Sequence, residues 1–524
     1  MDGMRALNAT ICLLPVLSAA LLAVGGCTSE EEFAQDVRLS RTTAYRQWEQ
    51  RKAREEALQP EISGELSLED CVKLTLAHNK MLQKTLEERE IARGARLGAR
   101  SSYLPNVALS TEYRRLDETS SFEVPGPNGT TQTLQAGDVD NYSVLLSVTQ
   151  PIYAGGAIPA QVRAARLVSL FADETIRGAT QDVVYAAETA YFDLRLSQRL
   201  VEIAEDSVRS AKAALEQTQK RRAGGVVSDF DVLRAQVELS NFEADLLRAR
   251  NAINISRANL IKIMGVSQAS DFVLSDDLAF APMEIEMEEA VQTAFTNRPD
   301  LYSQEYQIRQ QREQLRIARS RYLPNVSGFF EHTWARPDPK SFVSPTIEWG
   351  RTWQAGIRGA WPLFDGFQRE GEIIQQKARL RQAQIELVDI EETALYELTQ
   401  ALLSMRNAEE FVESQRLNLT RAREGLRLAE VGYEQGINTQ VELIDAQTAV
   451  TTARVNYYEA IYRHVVAKLA LQRAMGTVVA AHPGVRGPEG TPPTEALGED
   501  TSPIEAPPTE PPPAPAETPP PVEK

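Results

Sequence analysis

Tyr103-Leu104-Pro105-Asn106-Val107 returns as Tyr322-Leu323-Pro324-Asn325-Val326, 219 positions further on (103 to 322). Working outward, Gln150-Pro151-Ile152-Tyr153 answers to Trp361-Pro362-Leu363-Phe364, Ala235-Gln236 to Ala446-Gln447, and Met264-Gly265 to Met475-Gly476, all at a spacing of 211 (264 to 475). Matches in one order and one register mean a duplicated unit. The spacing shortens by eight residues (219 to 211) between the Leu-Pro-Asn motif and the next proline, which marks that connection as an exposed loop.

Each copy reads helix, two strands, long helix, turn, helix. Copy one runs without proline from Leu68 to Tyr103, predicting one helix, while copy two opens near Met287 and breaks at Asn297-Arg298-Pro299-Asp300. Val107, Leu109, Thr111, Tyr113 and Tyr142, Val144, Leu146, Val148 alternate with small or polar residues, and so do Trp353, Ala355, Ile357, Gly359 and Trp361. The segments 117–138 and 337–348, rich in Gly, Pro, Ser and Asn, read as loops. A sheet in lipid leaves no unpaired edge, so four strands of about ten residues cannot span alone and several chains must share a barrel. Trp334, Trp349, Trp353 and Trp361 lie in the second hairpin region, where rings at headgroup depth form a girdle. The strand pattern by itself also fits a soluble antiparallel sheet covered by helices.

The helices are too long for a globular core. Pro159 to Arg222 spans on the order of 95 Å, and Phe230 to Met264 about half of that. Val232, Ala235, Leu239, Phe242, Leu246, Ala249, Ile253, Ser256, Leu260 and Ile263 keep a strict 3-4 spacing, matched in copy two from Leu443 to Ala474, which is a coiled-coil seam.

The 524 residues carry a net charge of −17, against a nucleic-acid partner. Arg5, the apolar run Ile11 to Val24 and the small residues before Cys27 form a processing signal, with Val24-Gly25-Gly26-Cys27 resembling a lipobox that would acylate Cys27. Cys71 is then the only thiol of the mature chain. No later apolar run reaches about 20 residues, so any membrane crossing is made by strands. His78, His332, His464 and His482 have no metal-ligand spacing; Asp229 and Asp231 read as helix N-terminal groups, and no catalytic constellation or cofactor motif is found. We divide the chain into a signal (1–26), an acylated extension (27–63), repeat 1 (64–280, hairpin about 103–153), repeat 2 (281–477, hairpin about 322–364) and a disordered Pro/Glu-rich tail (478–524).

From about Leu66 to Gly476 the ordered set of motifs resembles the TolC-type outer-membrane efflux proteins: both Tyr-Leu-Pro-Asn motifs, Gln150 to Gly156, Trp361 to Gly366, Asn297-Arg298-Pro299-Asp300-Leu301, and Gly436 to Gln447. The resemblance implies an α+β membrane protein that forms a homotrimer. Three chains give four strands each to a twelve-stranded barrel, which continues into a periplasmic α-helical tunnel. Its expected role is the lipid-anchored exit duct of a tripartite efflux or type I secretion system. Its expected partners are outer-membrane lipid, a periplasmic adaptor and an inner-membrane RND, ABC or MFS transporter. Pro105, Pro151, Pro324 and Pro362 would mark the switch between strand and helix. Carried over residue by residue, the periplasmic gate falls on Val441, Glu442 and Asp445, where copy one departs with Asp231 opposite Glu442 and Arg234 opposite Asp445. An Arg234–acid pair is a candidate latch. The rival reading is a lipid-anchored periplasmic coiled-coil adaptor or scaffold.

Overall fold

A computed structural model of the chain describes residues 30–42, 44–58, 61–125, 131–136, 138–340 and 348–479. The first helices, α1 (Glu30–Thr42) and α2 (Ala44–Leu58), precede strand β1 (Ser63–Leu66). Repeat 1 continues with α3 (Leu68–His78), α4 (Lys80–Ser101), β2 (Asn106–Arg115), β3 (Ser120–Pro125), β4 (Thr131–Ala136), β5 (Asp140–Ala154), α5 (Ala157–Ala223), α6 (Asp229–Met264) and β6 (Asp271–Leu274). Repeat 2 supplies α7 (Met287–Asn297), α8 (Pro299–Ser320), β7 (Asn325–Arg336), β8 (Gly350–Ala360), α9 (Gln368–Glu434) and α10 (Gln440–Ala474).

Two sequence expectations need correction. The helix expected to run unbroken from Leu68 is cut at Asn79, whose backbone N–H donates to Thr75 O while its side chain accepts from Leu82 N at 2.9 Å and donates to Ile263 O at 2.8 Å. An asparagine that caps does the work of the proline in copy two, so the break is common to both repeats. The first loop, 117–138, is not all loop: β3 and β4 pair antiparallel within it, from Ser120↔Ala136 to Pro125↔Thr131.

Strands and helices share one lateral order. The four-stranded sheet runs β2-β5-β7-β8, antiparallel throughout. Each strand is continuous in sequence with a helix, and those helices pack in the same order: α4 on α5, α5 on α8, α8 on α9. Farther from the sheet, α6 and α10 replace α4 and α8, packing on α5 and α9, while α10 also meets α5. The sheet and the helices that continue it therefore form a wall one layer thick. Helix α5 alone has 67 residues, about 100 Å at the standard rise.

A belt wraps the wall near the middle of α5 and α9. β1 pairs parallel with β6, and Tyr191 on α5 is fully buried beneath them, donating its hydroxyl to Leu66 O at 3.0 Å. Helix α7 covers Leu398, Leu402 and Met405 of α9 in the same manner. Gly265, φ +71°, lies against the His78 carbonyl, and its repeat mate Gly476, φ +74°, lies against Asn297, where a Cβ would stand 2.9 Å from its carbonyl. Only glycine combines that φ with that approach. Val478, assigned above to the tail, is fully buried with Val72 and Val184, because it fills the gap between α3 and α5.

Candidate membrane sheet and tunnel mouth

Directly paired residues share a face of an antiparallel sheet. One face carries Val107, Leu109, Thr111 and Tyr113 of β2 beside Val148, Leu146, Val144 and Tyr142 of β5. It continues through Phe330, His332 and Trp334 of β7 to Ala355, Trp353 and Arg351 of β8. The opposite face carries Ser110, Glu112, Ser147, Glu331, Gln354 and Arg358. There Gln354 Nε2 donates to Glu331 at 2.5 Å, and the Arg358 guanidinium lies 4.6 Å from the Phe329 ring centre. One apolar and one polar face, on strands of 10 to 15 residues, suit a wall between lipid and water. Among the described residues, both edge strands, β2 and β8, have one unpaired side.

Aromatic rings gather at both ends of that sheet. Tyr142 lies 5.0 Å from Tyr113 and 6.4 Å from Trp349 between ring centres, at the end away from the helices. At the helical end are Trp361, Phe364 and Phe367, all well exposed. Phe367 was missed by sequence reasoning, and its ring meets that of Phe364, quoted above as part of the repeat, edge to face at 5.6 Å. Phe367 caps α9 with φ +67°, whereas the matching position in copy one is Gly156 at φ +82°. A phenylalanine held in that region costs about 1–2 kcal/mol, so copy two trades backbone comfort for a ring at the sheet–helix boundary.

The junction explains the repeated motif. Gln150 Nε2 donates to Tyr103 O and Trp361 Nε1 to Tyr322 O, each at 3.0 Å, so both copies tie the residue leaving the sheet to the tyrosine entering it. Pro105 and Pro324 immediately precede β2 and β7, and Pro362 follows β8. Pro151 departs from the expected place: it lies inside β5, where the pairing with β7 slips between Pro151 and Tyr153. A residue without an N–H is accommodated in a central strand by that bulge. Buried Arg369 seals copy two, donating to Asp365 at 2.7 Å and Pro362 O at 2.9 Å over the Tyr322 ring. Copy one has Ile158 there, so the repeat offered no signal for it.

At the far tip, the turn after α5 ends in Ser228 and that after α9 in Thr439, and each starts a capping box. Asp231 accepts from Ser228 N at 2.9 Å and Glu442 from Thr439 N at 2.7 Å. The Ser228 hydroxyl, donating at 2.7 Å, and the Ser228 N–H together hold Asp231 below the usual carboxylate range. Asp229 pairs with Arg222. Val441 is half-buried, and Asp445 is exposed in an open groove with Arg234, Glu238 and Thr448. Arg234 and Asp445 share the groove without an ion pair between them. Near the turns the two helical hairpins are joined by Arg221, stacked 4.1 Å from the Tyr433 ring centre and donating to Tyr433 O, by Gln440 Nε2 donating to Thr218 and to Asp231 O at 3.2 Å, and by the Thr448 hydroxyl donating to Glu238 at 3.2 Å.

Among the described residues, no group of three or more His, Cys, Asp or Glu could hold a metal, and no helix is long and apolar enough to cross a membrane. Cys71 is buried in the belt, and burial pushes its thiol up to about 12, which makes it a packing residue. Cys27 lies outside the described residues.

Against known proteins, this wall has many counterparts. The outer membrane efflux protein family matches residues 71–266 and 290–477, one stretch in each repeat. Protein CyaE of Bordetella pertussis is 25% identical over 437 residues, 82% of this chain and 87% of that protein. The cobalt-zinc-cadmium resistance protein CzcC of Cupriavidus metallidurans is 22% identical over 423 residues, 79% of this chain and 91% of that one. The solved outer membrane protein VceC of Vibrio cholerae shares the fold with a TM-score of 0.64 at 17% identity, over 78% of this chain and 96% of VceC. These matches favour the channel reading over a periplasmic adaptor, and the chain belongs to the outer membrane efflux protein family, channels of the outer membrane with a tunnel in the periplasm.

Proposed function

We propose that three copies of this channel subunit close edge to edge, β8 of one on β2 of the next, into a twelve-stranded barrel whose helices form one continuous tunnel. The observation that carries this is the shared lateral order of strands and helices, with both sheet edges open. The same closure partners the helices at the wall's margins. Helix α6 buries Ala235, Phe242, Ser256 and Leu260 within the chain but leaves Phe230, Leu233, Val237 and Leu247 exposed on another face, as a helix with two neighbours requires.

Asp445 and Val441 form the constriction of the tunnel mouth, where three carboxylates about one axis attract cations and limit passage. Glu442 serves mainly the capping box. Cys27 carries the lipid, an adaptor grips the helices, and an inner-membrane transporter of the RND, ABC or MFS class supplies the cargo of efflux or type I secretion. No step of chemistry is asked of the chain. Purified mature protein added to a planar bilayer should give discrete, cation-favouring conductance steps. A preparation that remains soluble without detergent once its acyl group is removed, and gives no steps, would return the scaffold reading.

A further inference from the structure

The apolar face of the sheet ends in arginine at one end only. From Val107 to Thr111, Val144 to Val148, Gly328 to His332 and Trp353 to Gly359, the lipid-facing rows hold no carboxylate, lysine or arginine. Above them, away from the helices, the same face carries Arg115, Arg336 and Arg351, paired in the ladder with Asp140, Tyr142 and Trp334. Near that end the polar face carries both signs, Arg114 and Glu112, while Arg358, paired with Ser327, lies toward the helices.

The carboxylates nearby have other duties. Asp140 accepts from the Tyr113 hydroxyl at 2.9 Å and pairs with Arg115 at 3.6 Å; Asp138 accepts from Val139 N at 2.7 Å and Asp338 from Lys340 N at 3.0 Å, so the latter two build turns. No described residue forms an ion pair with Arg336 or Arg351. His332 is packed 4.1 Å from Trp334 between ring centres, and its Nε2 has no hydrogen-bond partner. Guanidinium groups above an aromatic level, on a lipid-facing surface of a chain with net charge −17, match an anionic headgroup.

We propose that this rim binds the phosphorylated glycolipid of the outer leaflet, with Arg336 and Arg351 on its phosphates, and Trp334 and Tyr142 against its sugars and acyl boundary. The assignment rests on the channel reading above, which places this end of the sheet outermost.

The test titrates the detergent-purified mature assembly with diphosphorylated lipid A, its dephosphorylated form, or phosphatidylglycerol, and reads bound lipid by native mass spectrometry. Wild type should prefer the diphosphorylated form by about tenfold or more, the scale of one lost charged hydrogen bond. Arg336→Ser/Arg351→Ser should abolish the preference, Arg336→Lys/Arg351→Lys should keep part of it, and inward-facing Arg114→Ser should leave it whole. Equal binding of the two lipid A forms, or an undiminished preference in the double serine variant, would overturn the proposal. Equal preference for phosphatidylglycerol would overturn the glycolipid assignment. Assembly mass and bilayer conductance of the same samples report on the channel reading separately, since neither arginine lines the lumen.

Discussion

Arg298 is the side chain whose removal should be felt across three helices of repeat 2. It is buried where α7 meets α8, and donates to Asp300 at 2.7 Å, Glu397 of α9 at 2.8 Å and the Ala474 carbonyl of α10 at 3.2 Å. Arg298→Met keeps the apolar stem and deletes all three contacts. Breaking a fully buried charge pair costs about 3–5 kcal/mol. Here the two carboxylates remain roughly half exposed, 42% and 48%, and regain water, so the loss falls toward about 2–3 kcal/mol. That corresponds to local opening about 30- to 150-fold more often. Hydrogen exchange on the detergent-solubilised assembly should show this acceleration in 287–304 and at the end of α10, with the tip near Thr439 unchanged. Glu397→Gln should produce part of the effect and add little in the double variant, because the two residues share one contact. Exchange within about threefold of wild type in 287–304 would refute the reasoning.

Three further outcomes follow from the same geometry. Leu146→Lys puts a charge on the lipid face of β5 and should cost about 2–4 kcal/mol per chain near the bilayer middle, abolishing assembly into bilayers, whereas Ser147→Lys next to it faces the lumen and should assemble, as a gel shift of the intact oligomer would report. Asp445→Ala should raise single-channel conductance and weaken block by divalent cations; an unchanged conductance would remove Asp445 from the constriction. Buried His464 is held below its ordinary value of 6.5 by desolvation, facing Glu409 at 3.5 Å, the edge of Phe280 and the charge of Lys468. Because the folded state takes its proton later than the unfolded one, stability is complete above about 6.5 and is lost as pH falls from there toward the lowered folded value. Exchange in α9 and α10 should therefore accelerate between pH 7 and pH 5, and His464→Gln should flatten that slope.

The duplicated motif made the order of elements readable because it recurs at sites with strict backbone demands: a tyrosine carbonyl that must be covered, a glycine that must approach a helix end. Residue alternation in β2, β5 and β8 exposed their two faces for the same reason, since a strand between lipid and water cannot mix its rows. The break at Asn79 was hidden, because a capping asparagine lacks the steric signature of proline. The hairpin β3–β4 was hidden by turn-forming residues that also serve short exposed strands. At the tip, the resemblance carried the gate onto Glu442, but a Thr-x-x-Glu spacing is equally a capping box, and its carboxylate accepts from Thr439 N. Arg369 and Phe367 have no equivalents in copy one, so a reading that leaned on the repeat passed over both.

The account turns on closure of an open four-stranded sheet by two further copies of itself. Native mass spectrometry of the detergent-purified mature protein tests that claim most directly. Three chains per particle, holding together as detergent is stripped in the gas phase, is the result the account predicts; a single chain with both edges of its sheet unpaired would contradict it.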